Sequence, residues 1–203
     1  PEETMKRLIF LPMLCWAALL VAQEKYNAII LEDEESFVMS APTSGTYNVR
    51  RTVRVFNDAG LDEAVFQEYT DQFRSLSSFK GTLERENGKP LKLKKDDLVM
   101  VSVASGLAED GFVHGYQPSS TYPFTVTYEY TITYRKGVAS FPTFFPVSSE
   151  KVKVEKASYT FQVPSGPKIN CVTSKVGDVR KETGKVDTYR WEVPVFEGYT
   201  AEM

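Results

Sequence analysis

The chain has 203 residues, with 24 Lys and Arg against 27 Asp and Glu, and its formal net charge of −3 leaves no basic excess for gripping a nucleic-acid backbone. An apolar content of 42% excludes a disordered protein and suits a chain that buries a core. One His and two Cys are too few for a disulfide framework or a His/Cys metal cluster, while 13 Phe, 11 Tyr and 2 Trp lean toward strands.

In chain order, the first element is Met5 to Gln23, MKRLIFLPMLCWAALLVAQ. A basic start at Lys6 and Arg7, an uncharged run from Leu8 to Ala22 and a polar continuation at Gln23 form the pattern of a secretory signal peptide. The run is 15 residues with Pro12 inside it, short of the ~20 that a spanning helix needs. Cys15 lacks the small preceding residues of a lipoprotein signal, and Leu20 blurs the exact cut. The expected division is therefore 1–22, an upstream remnant and signal-peptide helix, and 23–203, a single β-sandwich domain. Only Cys171 is then left in the mature part, which has no second apolar run of membrane length.

The rest of the chain is dominated by period-2 alternation. Glu32-Asp33-Glu34-Glu35 reads as a solvated turn, because a calcium loop would alternate its oxygens with other residues and use Gly. Tyr47 to Phe56 is a strand with Tyr47, Val49, Val53 and Val55 inward, and Asn57-Asp58-Ala59-Gly60 is the turn after it. Asn87-Gly88 favours a hairpin joining Phe79–Glu84 to Leu91–Leu93, and Lys94 to Leu98 forms at most one helical turn. Phe124 to Arg135 is the clearest strand, with Phe124, Val126, Tyr128, Tyr130, Ile132 and Tyr134 on its inner face. Between Lys151 and Val163 the inward parity switches, which predicts a bulge near Glu155–Lys156. A last strand, Val186 to Val195, surrounds Trp191. Arg135–Val138 and Glu182–Lys185 read as hairpin turns. Ten or so short strands predict an all-β fold, an antiparallel immunoglobulin-like β-sandwich.

Little in this chain points to chemistry. His114 reads as a loop histidine and Cys171 as a small buried thiol, and no local pattern couples them into a nucleophile and base. No Gly-rich phosphate loop, nucleophile elbow or metal-spaced cluster occurs, so no catalytic residue, cofactor or metal is expected. The aromatic, Pro-rich stretches supply a candidate interface: Tyr116, Tyr122, Phe141, Phe144 and Phe145. They either line a groove for a peptide or glycan or plug the end of the sandwich core.

Several weak motifs share one order: Tyr47-x-Val49, Val55-x-Asn57-x-x-Gly60, Asn87-Gly88-Lys89, Tyr122-Pro123-x-Thr125-Val126-x-Tyr128-Glu129-Tyr130, Phe145-Pro146, Ala157-x-Tyr159-x-x-x-Val163-Pro164 and Tyr189-x-Trp191. In that order they resemble domain of unknown function 3857, over roughly Ile29 to Met203. The resemblance implies an immunoglobulin-like sandwich, a signal peptide and residence in the periplasm or cell envelope. It also implies a transglutaminase-like domain downstream, which carries the family's usual Cys-His-Asp constellation and is absent from this sequence. Two functions follow as expectations. One is a non-catalytic accessory or interaction module whose partner is that downstream domain. The other is a free-standing envelope protein that binds a protein, peptide or glycan through its aromatic loops.

Overall fold

Residues of alternating polarity need a sheet with one dry face and one wet face. A computed structural model describes residues 25–103, 111–138, 141–146, 150–166 and 179–199. The expected signal peptide, Cys15 and Cys171 lie outside the described residues. Twelve strands are described: β1 (Ala28–Ala41), β2 (Ser44–Val55), β3 (Phe66–Thr70), β4 (Arg74–Arg85), β5 (Leu91–Lys94), β6 (Val99–Ser102), β7 (Phe112–Tyr116), β8 (Phe124–Tyr134), β9 (Val152–Val154), β10 (Ala157–Pro164), β11 (Arg180–Glu182) and β12 (Val186–Val193). They form a large sheet in the order β11-β12-β10-β1-β2-β8-β4-β5, with β9 also on β1, and a small sheet in the order β3-β7-β6. The fold is all-β, rich in antiparallel pairs and sandwich-like. The pairings of β1 with β9 and β10 are parallel, which alternation alone does not reveal.

The inner face of the large sheet makes the core. Phe66 of β3 packs on Phe79 and Tyr128, with ring centroids 4.6 and 5.6 Å apart, and so joins the two layers. The register read for β8 holds. Phe124, Val126, Tyr128, Ile132 and Tyr134 are buried, and Tyr130 packs partly buried against the same core. Tyr130 also meets Phe66 edge-on and donates its hydroxyl proton to Glu68 at 2.8 Å, whereas Thr131 faces outward and donates to Asn48. Tyr130→Ala is expected to cost about 3–5 kcal/mol, and Thr131→Ala about 0.5 kcal/mol or less. Denaturant melts of the two variants check this, and equal losses would overturn the register.

The parity switch at Glu155–Lys156 is a break between β9 and β10, and both pieces run along β1. Val152 and Val154 point inward before it, and Ala157, Tyr159, Phe161 and Val163 after it. β1 changes parity at the same level, where its pairing with β2 shifts between Ile30 and Glu32.

The turns came out unevenly. β4 and β5 form the expected hairpin, but through residues 86–90 rather than a two-residue turn. β11 and β12 pair around Glu182–Lys185 as expected, and Lys95–Asp97 is a single 3-10 turn. Arg135–Val138 is not a hairpin turn. β8 already has β2 on one side and β4 on the other, so the chain leaving it has no edge to pair with. Asn57–Gly60 opens a longer 3-10 helix, Asp58–Ala64. The motif Asn57-x-x-Gly60 has a steric reason: a Cβ on Gly60 would sit 2.2 Å from the Asn27 carbonyl oxygen. That obstacle is backbone and cannot swing aside. Gly60→Ala is therefore expected to destabilise the protein as an overpacked core does, by about 1–3 kcal/mol, and so to lower its melting temperature. An unchanged melt would show that the turn can shift.

Candidate functional site

The acidic run Glu32–Glu35 is not a turn. It lies in the middle of β1, and strand alternation splits it between the two faces. Glu32 and Glu34 face outward. Asp33 and Glu35 face inward, because the shift after Ile30 brings their parity to the core side. The reading as a solvated turn rested on charge density, and a strand can divide such a run between water and core.

The outward row is an ion ladder set by register. Glu34 stands opposite Arg50, Arg50 opposite Glu129, and Glu129 opposite Lys80. Arg50 reaches Glu32 at 2.8 Å and Glu129 at 3.1 Å, Lys80 reaches Glu129 at 2.8 Å, and Lys156 reaches Glu32 at 2.9 Å. The groove across this face, about 750 Å³, is lined further by Ser36, Asn48, Ser78, Thr131 and Thr160. Its charges pair with one another, and Phe79 and Tyr130, which also border it, pack their rings on Phe66 in the core, so it is a solvated sheet face.

The inward row is a buried ionic cluster. Asp33 is fully buried and pairs with the Arg51 Nη1 across the β1–β2 ladder, while Arg51 Nη2 donates to Glu63 at 2.7 Å. Arg51 Nη1 also lies 3.4 Å from the carbonyl oxygen of Pro146. Two residues along β1, Glu35 accepts a hydrogen bond from the Tyr47 hydroxyl. Glu68 accepts from Tyr130 and pairs with Arg74 at 3.3 Å. Four carboxylates thus share this layer with two guanidinium groups. Burial, with the Asp33 charge adding to it, pushes the Glu35 carboxyl up to about 8. Burial also raises Asp33, against the attraction of Arg51, and raises Glu68. Asp33 Oδ1 has no hydrogen-bond partner among the described residues. The cluster can hold a proton and clamp neighbouring elements. Among the described residues no three His, Cys, Asp or Glu side chains are arranged to hold a metal ion.

The five aromatics expected at an interface do not form one surface. Tyr116 lies in β7 with its ring 6.4 Å from Tyr128, and Tyr122 stacks on Phe124 while donating to Asp58 at 2.7 Å. Phe141 meets Phe161 and Phe37 at 4.8 and 5.5 Å, and Phe144 stacks on Tyr159 at 5.6 Å. These are core-capping contacts. Tyr122 and Phe141 fall at opposite ends of β8, since Phe124 opens that strand and Phe37 meets Tyr134 at its close, while Tyr116 and Phe144 lie between, level with Tyr128 and Tyr130. Phe145 turns away from the core and is 67% exposed, and Phe141 keeps 41% of its surface outside.

His114 lies in β7 rather than a loop, with Nε2 2.9 Å from the Thr70 hydroxyl. Burial and Lys95 lower its proton affinity. Sequence reading missed Asp33, Glu35, Arg51, Glu63, Glu68 and Arg74. The available signal was Arg51, a charge on the core parity of β2 between Val49 and Val53.

Residues 41–194 match the family model described as Domain of Unknown Function with solved-structure structure (DUF3857). No curated protein sequence matches the chain. Among solved structures, one described as a "putative protease" from Parabacteroides distasonis is similar with a TM-score of 0.67 at 14% identity, over 87% of this chain and 37% of that one. An M1 zinc metallopeptidase from Deinococcus radiodurans is matched at 10% identity over 82% of this chain and 39% of that one, with a TM-score of 0.35. The chain thus spans well under half the length of either.

Proposed function

The chain belongs to the DUF3857 family, and from that premise we propose that it is a non-catalytic accessory or interaction module of a larger exported protein of the bacterial cell envelope, set beside a transglutaminase-like domain. The observation that carries this reading is the span. The fold that fills 87% of this chain is 37% of the Parabacteroides distasonis chain, so there the same fold is one part of a longer polypeptide. The site geometry is consistent with a module that carries no reaction of its own. The Asp33–Arg51–Glu63 charges are spent on one another, and His114 is bonded to a threonine hydroxyl. Export is supported by the basic start and short apolar run of Met5 to Gln23. A free-standing binding protein is the second reading, favoured by the outward-facing Phe145.

Expression in a bacterial host with an intact leader tests the proposal. The exported product should begin near Gln23 and show no peptidase or acyl-transfer activity. Retention of Leu8 to Val21 would sink the export reading. Activity abolished by His114→Ala or Cys171→Ala would sink the non-catalytic one. Loss of envelope-protein or glycan binding on Phe145→Ala would favour the second reading.

A further inference from the structure

An asparagine side chain can react with the backbone nitrogen that follows it, and glycine in the following position favours the reaction because no Cβ shields that nitrogen. Four asparagines lie among the described residues, and the fold holds three of them. Asn27 donates to the Glu150 carbonyl at 3.3 Å and accepts from Asn57 at 3.1 Å, and the residue after it is the fully buried Ala28. Asn57 is the donor of that second bond, and the residue after it opens the 3-10 helix. Asn48 accepts from Thr131 at 3.0 Å in β2, a strand paired on both sides, and the residue after it is the buried Val49. Asn87 is held by nothing comparable. It is exposed in the loop 86–90, beyond Leu83–Leu91, the last pair of the β4–β5 ladder. Among the described residues no hydrogen bond fixes its side chain or the Gly88 N–H. A Cβ on Gly88 would meet nothing within 4 Å, so a ring has room to close there.

We propose that Asn87 is a self-modification site, which loses its side-chain amide in the folded protein and becomes a mixture of aspartate and isoaspartate. The Gly88 nitrogen gives its proton to hydroxide and attacks the Asn87 Cγ. A nitrogen–Cγ bond forms, the Cγ–Nδ2 bond breaks, and Nδ2 takes up a proton and leaves as ammonia. Water then opens the resulting ring. Cleavage between the Gly88 nitrogen and Cγ gives aspartate. Cleavage between that nitrogen and the Asn87 backbone carbonyl gives isoaspartate, in which the chain runs through Cγ. The balance is one water in and one ammonia out, with no oxidation. The product has one negative charge more than the formal −3 of the chain, and its isoaspartyl form has one more backbone atom in the loop. The change stays local, because β5 ends the large sheet and pairs with β4 alone among the described strands. This chemistry does not depend on the chain's being an interaction module.

The test incubates the protein at mildly alkaline pH, with and without denaturing urea, and follows each asparagine by peptide mass spectrometry. In the folded protein Asn87 should convert within about threefold of its rate in urea, since a loop outside the ladder opens at little free-energy cost. Asn27, Asn48 and Asn57 should keep their amides as long as the protein is folded. An acidic species that co-elutes with Asn87→Asp in ion exchange should grow in step with the conversion. Gly88→Ala should slow the conversion at least about tenfold, because a Cβ then shields the attacking nitrogen. Asn87→Gln, which leaves the backbone as it is, should abolish the acidic species. If Gly88→Ala disturbs the hairpin, the comparison with urea, which needs no variant, decides. An Asn87 that keeps its amide when folded and loses it in urea overturns the proposal. Earlier loss at Asn27, Asn48 or Asn57, or a wild-type rate in folded Gly88→Ala, overturns it as well.

Discussion

Glu35→Gln is expected to stabilise the protein above about pH 5, by an amount that grows until pH 8. The folded-state affinity of Glu35 for its proton is raised, from 4.5 to about 8. Stability from such a group is complete below the unfolded value and is lost as pH climbs toward the folded one. The gap of 8 − 4.5 = 3.5 corresponds to about 5 kcal/mol as an upper bound, at 1.36 kcal/mol for each tenfold step. Glutamine is nearly isosteric and cannot ionise, and its carbonyl oxygen can still accept from the Tyr47 hydroxyl. At pH 4.5 the two proteins should melt together. At pH 8 the variant should lead by about 2–4 kcal/mol, a large share of a typical 5–15 kcal/mol. Asp33, Arg51, Tyr47 and Glu68 face Glu35 from β1, β2 and β3 and set this affinity. Equal stability of wild type and variant across pH 4.5 to 8 would show that the carboxyl is hydrated.

The difference between what β8 disclosed and what β1 concealed has one physical cause. In β8 the inward residues are apolar and the outward ones polar, so alternation displays both the strand and its orientation. In β1 the inward positions after Ile30 are Asp33 and Glu35, and the outward positions Glu32 and Glu34 are acidic too. Period-2 polarity vanishes there, although Glu32 to Glu35 pair with β2 in unbroken register. The partner of that acidic pair, Arg51, is 18 residues away in sequence and meets Asp33 only through the β1–β2 register. A register is a tertiary fact that composition does not carry. The parallel placement of β10 on β1 has the same character, since it needs a connection running through most of the chain. The capping aromatics were visible as residues, but their separation along β8 was not, because Phe141 reaches the core through Phe37 rather than through its sequence neighbours.

Arg51→Met is expected to be the most damaging single change in the cluster. The arginine joins β1 through Asp33, the 3-10 helix Asp58–Ala64 through Glu63, and the segment Phe141–Pro146 through the Pro146 carbonyl. Methionine preserves much of the volume and none of the charge, so fully buried Asp33 loses its counter-ion and Glu63 loses its ion pair with the guanidinium. Removing one partner of a buried ion pair costs about 3–5 kcal/mol, because the remaining charge is left without water or partner. The loss should shrink as pH falls, beginning above the ordinary aspartate range, because burial already raises the Asp33 carboxyl and the variant removes the Arg51 attraction that opposes the rise. Arg51→Lys should recover part of the loss, since one ammonium cannot span Asp33 and Glu63 as the forked guanidinium does. Adding Asp33→Leu and Glu63→Leu to Arg51→Met should recover more, because a packed apolar triad escapes the desolvation that the ions suffer. Chymotrypsin supplies a local readout. With the Pro146 contact gone, cleavage after Phe144 should come sooner in Arg51→Met than in a control of equal global stability such as Tyr130→Ala. Equal cleavage rates in the two would mean that the Phe141–Pro146 segment is held by its aromatic contacts alone, and that the ionic cluster ends at Glu63.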